Sequence, residues 1–455
     1  MATAKKGSSK GKGKGPEGTE PKASPEPKAT AKTAMATPAA KKKAAAEEAV
    51  DLGIPGFKDS IRLNSEAQAL FVKAAVVAVV GLGVAAGIGA TKGDGMKSFL
   101  HSYLTAYMVA CAIGLGTLYW VTLQHLVNAH WSVVLRRLGE LFANSAPVLF
   151  VLALPMIIPT IMGSDVLYDW ASHEKVHASH LLHHKAPYLN PTFFAIRMVF
   201  YFGFFTLLAA FWLKTSLKQD QAKEAATGLM LKMRAAAGPS MIVFALSLTF
   251  MAIDLVMSLD ATWFSTIFGV YYFASCVLCA QATLILAARW LQAKGRLQTV
   301  SVEHYHDVGK LMFAFTIFWA YIGFGQFMLI WYANIPEETF WYKRRFADEW
   351  GTMAWALLFL HFVVPFFGML SRHVKRNKAM ISFWAVWVLV VVYLDMYWLV
   401  MPELEEGSSF GLVDPLCLLG VLGAVVASVA FRARNINLMP VGDPRLERSL
   451  AFENI

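Results

Sequence analysis

The residues with the clearest capacity for chemistry are ionisable side chains that lie inside long apolar stretches. Asp254, Arg197, Asp395 and His361 stand among aliphatic and aromatic neighbours, where a charged or hydrogen-bonding group is costly unless it finds a partner. Carboxylates and imidazoles that titrate near working pH are also the groups that relay protons. We therefore take these four as candidates for a proton path, with structural ion pairing and packing as the alternative.

More ionisable residues stand near the ends of the apolar stretches. Asp260 and Asp414 lie at one set of ends, where helix caps and ion pairs are the alternative to proton transfer. His125, Glu140, Asp307 and Lys310 lie at the other set, among further basic and acidic residues. For this second set, proton relay competes with the simpler interpretation of a polar rim in contact with water.

Five histidines lie together between the third and fourth apolar stretches: His173, His177, His180, His183 and His184. The first three have the spacing of one helix face, which could bind a metal or contact a partner protein. Neither a cysteine nor a carboxylate pattern completes a zinc site. We therefore predict no metal site here, and both partner contact and an ordinary amphipathic segment remain as interpretations.

The elements that must position these residues are membrane-spanning helices. The chain is 56% apolar and only 16% charged, whereas about a quarter of the residues in an average soluble domain are charged. Its apolar runs are long enough to cross about 30 Å of hydrocarbon. We predict an all-α, polytopic transmembrane protein with about ten spans, at residues 67–90, 99–122, 138–162, 191–213, 239–259, 264–288, 311–333, 350–370, 380–400 and 412–431.

Proline and helix direction refine this prediction. Pro147, Pro155 and Pro159 fall in the third span, which we expect to be kinked or broken because proline removes an amide donor. The fourth and fifth spans run in opposite directions, so Arg197 and Asp254 lie at similar depth although they are 57 positions apart. We predict that they are neighbours, because a buried arginine keeps its charge and needs a carboxylate or carbonyls.

Charge and composition divide the chain into four parts. Residues 1–50 are predicted to be a disordered basic tail, 51–66 a segment entering the membrane, 67–435 the ten-helix domain and 436–455 a C-terminal tail. The connections on the side of the two termini carry 19 Lys and Arg, against 7 on the other side. Basic residues favour the cytoplasm, so both termini are predicted to be cytoplasmic. This distribution suits a multi-pass membrane protein and not a nucleic-acid-binding one.

Three stretches resemble a known family: H-H-K-A-P-Y-L-N-P-T-F-F-A-I-R at 183–197, M-S-L-D-A-T-W-F-S-T-I-F-G-V-Y at 257–271, and the run Y-H-D-V-G-K-L-M-F-A-F-T-I-F-W-A-Y-I-G-F-G-Q-F-M-L-I-W-Y-A-N-I-P-E-E-T at 305–339. They resemble the second of the two NrfD-like integral membrane subunits of bacterial alternative complex III, the ActF type. The resemblance covers about residues 60 to 435 and excludes the lysine-rich tail.

The resemblance implies two four-helix bundles, helices two to five and six to nine, flanked by the first and last helices. It implies a respiratory complex of the bacterial inner membrane that oxidises quinol and passes electrons to cytochrome c or to an oxidase. The implied partners are membrane lipid, iron–sulfur and multihaem cytochrome c subunits, a sister NrfD-like subunit and a terminal oxidase. Haem c and iron–sulfur clusters would belong to these partners, and whether quinone contacts this chain is left open.

Other functions remain as alternatives. The chain could be a scaffold or proton-conducting subunit that binds no quinone, or a stand-alone transporter. A transporter usually shows internal repeats and helices broken at the midplane, and only the third span is predicted to be broken here. A haem-binding cytochrome b is disfavoured, because no span carries suitably spaced histidines in its middle.

Overall fold

Ten long helices dominate the structure. The computed structural model describes residues 50–51, 58–94, 96–222, 224–404 and 410–454. Ten of its helices are long and apolar enough to cross a membrane, which confirms the prediction of a polytopic all-α protein. In the described part, the one pair of strands is antiparallel and joins Val50–Asp51 to Lys58–Asp59. The predicted disordered tail at 1–50 lies outside the described residues except at its last position.

The ten helices are numbered here as spans in chain order. Their bounds are Ser65–Thr91, Lys97–Leu126, Val133–Ala143 with Ala146–Ile161, Pro191–Gln221, Ala226–Leu255, Phe268–Ala293, Val302–Ala333, Asp348–Leu370, Lys378–Val400 and Val413–Ala433. Shorter helices are His173–Ala178, His180–Lys185, Pro336–Arg345, Arg372–Arg376 and Leu446–Leu450. Single 3₁₀ turns follow spans 5 and 9, at Met257–Leu259 and Met401–Glu403.

Several spans are longer than the apolar runs that predicted them. Span 5 begins at Ala226 and keeps Pro239 inside the helix, and span 7 begins at Val302. The extra turns carry polar and charged residues, so hydropathy falls while the helix continues. They project beyond the apolar layer and bring the charged ends of the spans together.

Span 3 is broken as the prolines predict. Its two helices meet at Asn144 and Ser145, and Pro147 lies in the first turn of the second helix, where its missing N–H costs no hydrogen bond. Asn144 secures the break, because its side-chain amide donates to the carbonyl of Ala209 in span 4 at 2.9 Å. The break therefore fixes the angle at which the second half of the span packs on span 4.

The spans pack as two four-helix groups with a flanking pair. Spans 2, 3, 4 and 5 form one closed group, spans 6, 7, 8 and 9 form the other, and spans 1 and 10 pack on each other beside span 2. Spans 2 and 6 hold the two groups together. A Cβ added to Gly116 of span 2 would lie 1.9 Å from the backbone oxygen of Cys276 in span 6, so this crossing requires glycine.

Connections between spans collect on two faces. The terminal face holds residues 58–64, the connections after spans 2, 4, 6 and 8, and residues 434–454. There the amide of Leu438 donates to the carbonyl of Ile61 at 2.7 Å. The opposite face holds the connections after spans 1, 3, 5, 7 and 9, where Lys185 donates to the carbonyl of Ala261 at 2.6 Å.

Candidate functional site

Arg197 and Asp254 form a buried, two-pronged ion pair between spans 4 and 5. Nε of Arg197 donates to Oδ2 of Asp254 at 2.8 Å, and Nη2 donates to Oδ1 at 2.9 Å. Asp254 is fully buried and Arg197 is 7% exposed. This confirms the predicted pairing. The parallel donors of a guanidinium match the two oxygens of a carboxylate, so the pair is held in one geometry.

Aromatic residues enclose the pair. The hydroxyl of Tyr201 donates to Asp254 at 3.0 Å, and the carbonyl of Tyr188 accepts from Nη1 of Arg197 at 2.9 Å. The rings of Tyr188 and Phe193 lie 3.9 and 4.4 Å from the guanidinium carbon. Burial, together with the nearby charge of Asp254, raises the pKa of Tyr188 to about 12. Both charges are thus satisfied without water.

A cavity of about 300 Å³ opens beside this pair at the opposite face. Tyr188 lies in its wall and connects it to the pair, because the same residue contacts Arg197. Trp263 and Phe264 give it aromatic surface, while Lys185 and Asp260 give it charge. Burial lowers the pKa of Lys185, and Asp260 partly opposes that shift. The cavity therefore combines an aromatic wall with two ionisable groups.

Asp395 is also fully buried, and its surroundings differ from those of Asp254. Oδ1 accepts from the hydroxyl of Tyr271 at 2.5 Å, and Oδ2 accepts from Nε1 of Trp319 at 3.0 Å and, weakly, from Ser275 at 3.5 Å. All three donors are neutral. Among the described residues no Lys, Arg or His forms an ion pair with Asp395.

His361 belongs to the same site. Its ring stacks on Trp319 with centroids 3.7 Å apart, and in the described part of the chain neither ring nitrogen has a hydrogen-bond partner. The site of Tyr271, Trp319, His361 and Asp395, called the Asp395 cluster below, takes one residue from each of spans 6 to 9. Two hydrogen bonds and one ring stack join these four side chains.

The backbone of span 8 changes at His361. Residues Leu358–Val363 form a π-helical turn, followed by Pro365 in the next α-helical turn. The carbonyl of Leu360 accepts from Nε1 of Trp387 at 2.7 Å. A proline and a wide turn thus alter span 8 without breaking it, a change that the sequence did not predict. Such turns recur at functional sites.

Arg344 and Arg345, called the arginine clamp here, join three elements at the opposite face. Arg345 stacks on Trp341 at 3.6 Å and donates to Glu403 at 2.8 Å and to the carbonyl of Leu399 at 2.6 Å. Burial lowers the pKa of Arg345 to about 10, and Glu403 partly offsets this. Arg344 contacts Glu403 as well and lies 3.7 Å from Asp260. The clamp joins the connection after span 7 to the ends of spans 5 and 9.

Asp260 and Asp414 form local structural contacts. Oδ1 of Asp260 accepts from the amide of Thr262 at 3.0 Å and from its hydroxyl. Oδ2 of Asp414 accepts from the amide of Gly411 at 2.8 Å, just before span 10. These contacts favour the capping alternative for both residues.

Charged residues of the terminal face form a balanced, buried network, called the Arg136 network below. It comprises Arg136, Arg137, Glu140, Asp220, Asp443 and Arg445, so three positive charges meet three negative ones. Arg137 lies 3.0 Å from Glu140 and donates to Asp220 at 2.9 Å, while Arg136 contacts both Glu140 and Asp443. Burial raises the pKa of Asp443, but Arg136 and Arg445 outweigh it and hold that pKa well below its ordinary value.

Burial of this network corrects the interpretation of a polar rim. Glu140 is fully buried, and His125 is 1% exposed and stacks on Trp212 at 4.8 Å. The cause is the C-terminal segment, residues 434–454, which folds back over the ends of spans 2, 3 and 4. The rim interpretation holds better for Lys310, whose side chain is 48% exposed and pairs with Asp307.

The histidines after span 3 do not share one helix face as predicted. Ser179 adopts an extended conformation and caps a new helix, so His173 and His177 lie on one short helix and His180 begins the next. Nε2 of His177 lies 3.1 Å from Nε2 of His173, and the His183 ring is 6.0 Å from that of His177. Among the described residues, no group of three or more His, Cys, Asp or Glu is placed to hold a metal ion.

Sequence reasoning missed several partners. Tyr201 stands four residues after Arg197, and this helical spacing could have identified it. Tyr271 and Trp319 could not be assigned to Asp395, because they come from distant spans. Asp443 and Arg445 follow the last span, in a segment predicted to be a tail.

Comparison with models of known protein families and with curated proteins gives no match for this chain.

Proposed function

We propose that this chain is an integral membrane subunit of a quinol-oxidising respiratory complex, in which it provides a proton path through spans 6 to 9. The respiratory assignment is supported by the resemblance of residues 183–197, 257–271 and 305–339 to NrfD-like subunits of alternative complex III. The excess of basic residues on the terminal face supports a cytoplasmic position for that face, in a bacterial inner membrane.

The observation that carries the proton path is the environment of Asp395. A buried carboxylate beside only neutral donors is stabilised much less as an anion than one beside an arginine. It can therefore exchange a proton at lower cost than Asp254, whose anion is stabilised by Arg197. His361, with two unpartnered ring nitrogens in the described structure, is the neighbouring group that could pass the proton on.

The cavity at the opposite face favours a second contribution, contact with quinone. A flat, apolar ring with polar oxygens suits an aromatic wall that carries a few polar groups. In this arrangement Tyr188 would contact the quinone, Lys185 would donate a hydrogen bond to a quinone oxygen, and Asp260 would accept one from a quinol hydroxyl. Without quinone contact, the chain would act as a proton-conducting or scaffold subunit of the same complex.

Purification in a mild detergent, with identification of the accompanying subunits, tests the respiratory assignment. We expect iron–sulfur and multihaem cytochrome c subunits and a sister membrane subunit to co-purify. A lone homo-oligomer would contradict the proposal and favour a transporter.

Substitution of Asp395 in the intact complex tests the proton path. In Asp395→Asn the amide oxygen can accept from Trp319 and the amide nitrogen can donate to the Tyr271 hydroxyl, but the amide does not titrate, so we expect normal complex yield with reduced proton translocation per quinol oxidised. Asp414→Asn is the control, because Asp414 is a buried carboxylate in a local capping contact. Unchanged proton translocation in Asp395→Asn, measured in vesicles with a pH-sensitive dye, would exclude the proposed path.

A further inference from the structure

A groove on the outer surface lies between spans 1, 3 and 10, away from Asp254 and Asp395. It has a volume of about 450 Å³. Half of its ten lining residues are small: Ala75, Ala78, Ala424, Ala427 and Ser428. The rings of Phe71 and Phe431, 5.6 Å apart, lie towards the terminal face. Val79 in its wall is 74% exposed, so the groove opens to the surface that lipid chains would cover.

The length of the groove suits one lipid leaflet. The helix segment from Phe71 to Val79 in span 1 is about 12 Å long, and the segment from Ala424 to Arg432 in span 10 has the same length. One leaflet contributes about 15 Å of hydrocarbon. The groove therefore runs from the terminal face towards the middle of the apolar layer, parallel to the path of an acyl chain.

Two arginines lie at the terminal-face end of the groove. Arg432 lines it, is partly buried, and has no hydrogen-bond or ion-pair partner in the part of the chain that the structure describes. Arg434 stacks on Phe431 at 3.8 Å and lies 5.7 Å from the Phe71 ring, while Nη1 donates to the side chain of Gln68. Neither arginine pairs with a carboxylate among these residues.

We propose that this groove binds an anionic phospholipid, with one acyl chain along the small residues and the phosphate against Arg432. Arginine presents parallel donors that match phosphate oxygens, and it keeps its charge at any ordinary pH. Arg434 adds a second positive charge at the headgroup. An uncharged quinone would leave both charges unmet, and a zwitterionic lipid would meet them less well because it also carries a cation.

Native mass spectrometry of the purified protein with its accompanying subunits tests this proposal. After removal of endogenous lipid, the sample is titrated with phosphatidylglycerol or phosphatidylcholine, and lipid retained on this subunit after its ejection is counted. We expect one phosphatidylglycerol to bind in preference to phosphatidylcholine. Arg432→Gln should weaken this binding about fivefold, the usual effect of one basic residue at an anionic surface, whereas Arg432→Lys should retain most of it.

Two further variants separate a specific site from general attraction. Arg234→Gln removes an exposed arginine of span 5 that lies outside the groove, so its lipid binding should match the unsubstituted protein. Ala424→Phe fills the groove and should remove the preferred lipid while leaving both arginines in place. Equal binding of the two lipids, unchanged binding in Arg432→Gln, or retention of a quinone in the groove would overturn the proposal.

Discussion

Removal of either member of the Arg197–Asp254 pair should destabilise the protein more than removal of both. Asp254→Leu leaves a charged guanidinium that is 7% exposed, with the Tyr188 carbonyl and two aromatic rings as its remaining partners. Breaking a buried pair in this way typically costs 3 to 5 kcal/mol. Because cation–π contacts of desolvated arginines contribute about 2 kcal/mol, we expect a cost near the lower limit, about 3 kcal/mol.

Removal of the arginine instead of the aspartate has a different upper limit to its free-energy cost. Arg197→Met leaves a fully buried carboxylate with Tyr201 as its remaining side-chain donor. The buried anion can be neutralised by binding a proton, which for an ordinary carboxylate at pH 7 costs about 4 kcal/mol. The double variant Arg197→Met with Asp254→Leu has neither charge and should lose only about 2 kcal/mol or less. The coupling energy between the two positions should therefore exceed about 2 kcal/mol.

Unfolding in mixed micelles titrated with SDS, followed by tryptophan fluorescence, measures these free energies. Asp165→Ala is the control, because Asp165 pairs with Lys175 where both side chains are about 40% exposed, and such pairs contribute at most about 1 kcal/mol. The argument that each charge depends on the other would be refuted if the losses in unfolding free energy of the two single variants added up in the double variant. It would also be refuted if each single variant lost no more than the control.

Three further outcomes are expected. Gly116→Ala should lower the yield of folded protein, because its Cβ would overlap the Cys276 carbonyl, whereas Gly203→Ala, with open space around it, should not. Acidification should weaken the Arg136 network by about 1.4 kcal/mol per pH unit below about pH 4, because the stability that Asp443 contributes is complete only above its ordinary pKa and is lost as the pH falls towards its depressed pKa. Asp443→Asn should reduce this slope in SDS titrations. A cysteine at Ala178 should react with impermeant maleimide from the periplasmic side, and labelling only from the cytoplasm would reverse the proposed orientation.

Hydropathy and helix direction were sufficient to predict the ten spans and one ion pair from the sequence. Arg197 and Asp254 lie on consecutive spans, so direction alone places them at one depth, and the cost of a buried charge supplies the reason for contact. The broken third span likewise follows from the chemistry of proline. These features depend on short-range rules that act within one or two helices.

Other features depend on contacts that local patterns do not contain. Asp395 is surrounded by residues from three other spans, and their order around it is set by the packing of a whole bundle. The π turn at His361 leaves the apolar pattern of span 8 intact. The C-terminal segment has the composition of a solvated tail, yet Asp443 is buried because Arg136 of span 3 and Arg445 of the segment itself pair with it.

The burial of Asp443 against Arg136 has a consequence for biogenesis. The two residues are 307 positions apart, and at 5 to 20 residues per second their synthesis is separated by about 15 to 60 s. During that interval span 3 enters the membrane with Glu140 as the nearest counter-charge in its own helix, and Asp220 follows with span 4. The arginines of span 3 therefore reach their full set of partners only once residues 443 to 445 have been synthesised, so a chain cut after residue 435 would keep its ten spans but leave Arg136 buried without Asp443.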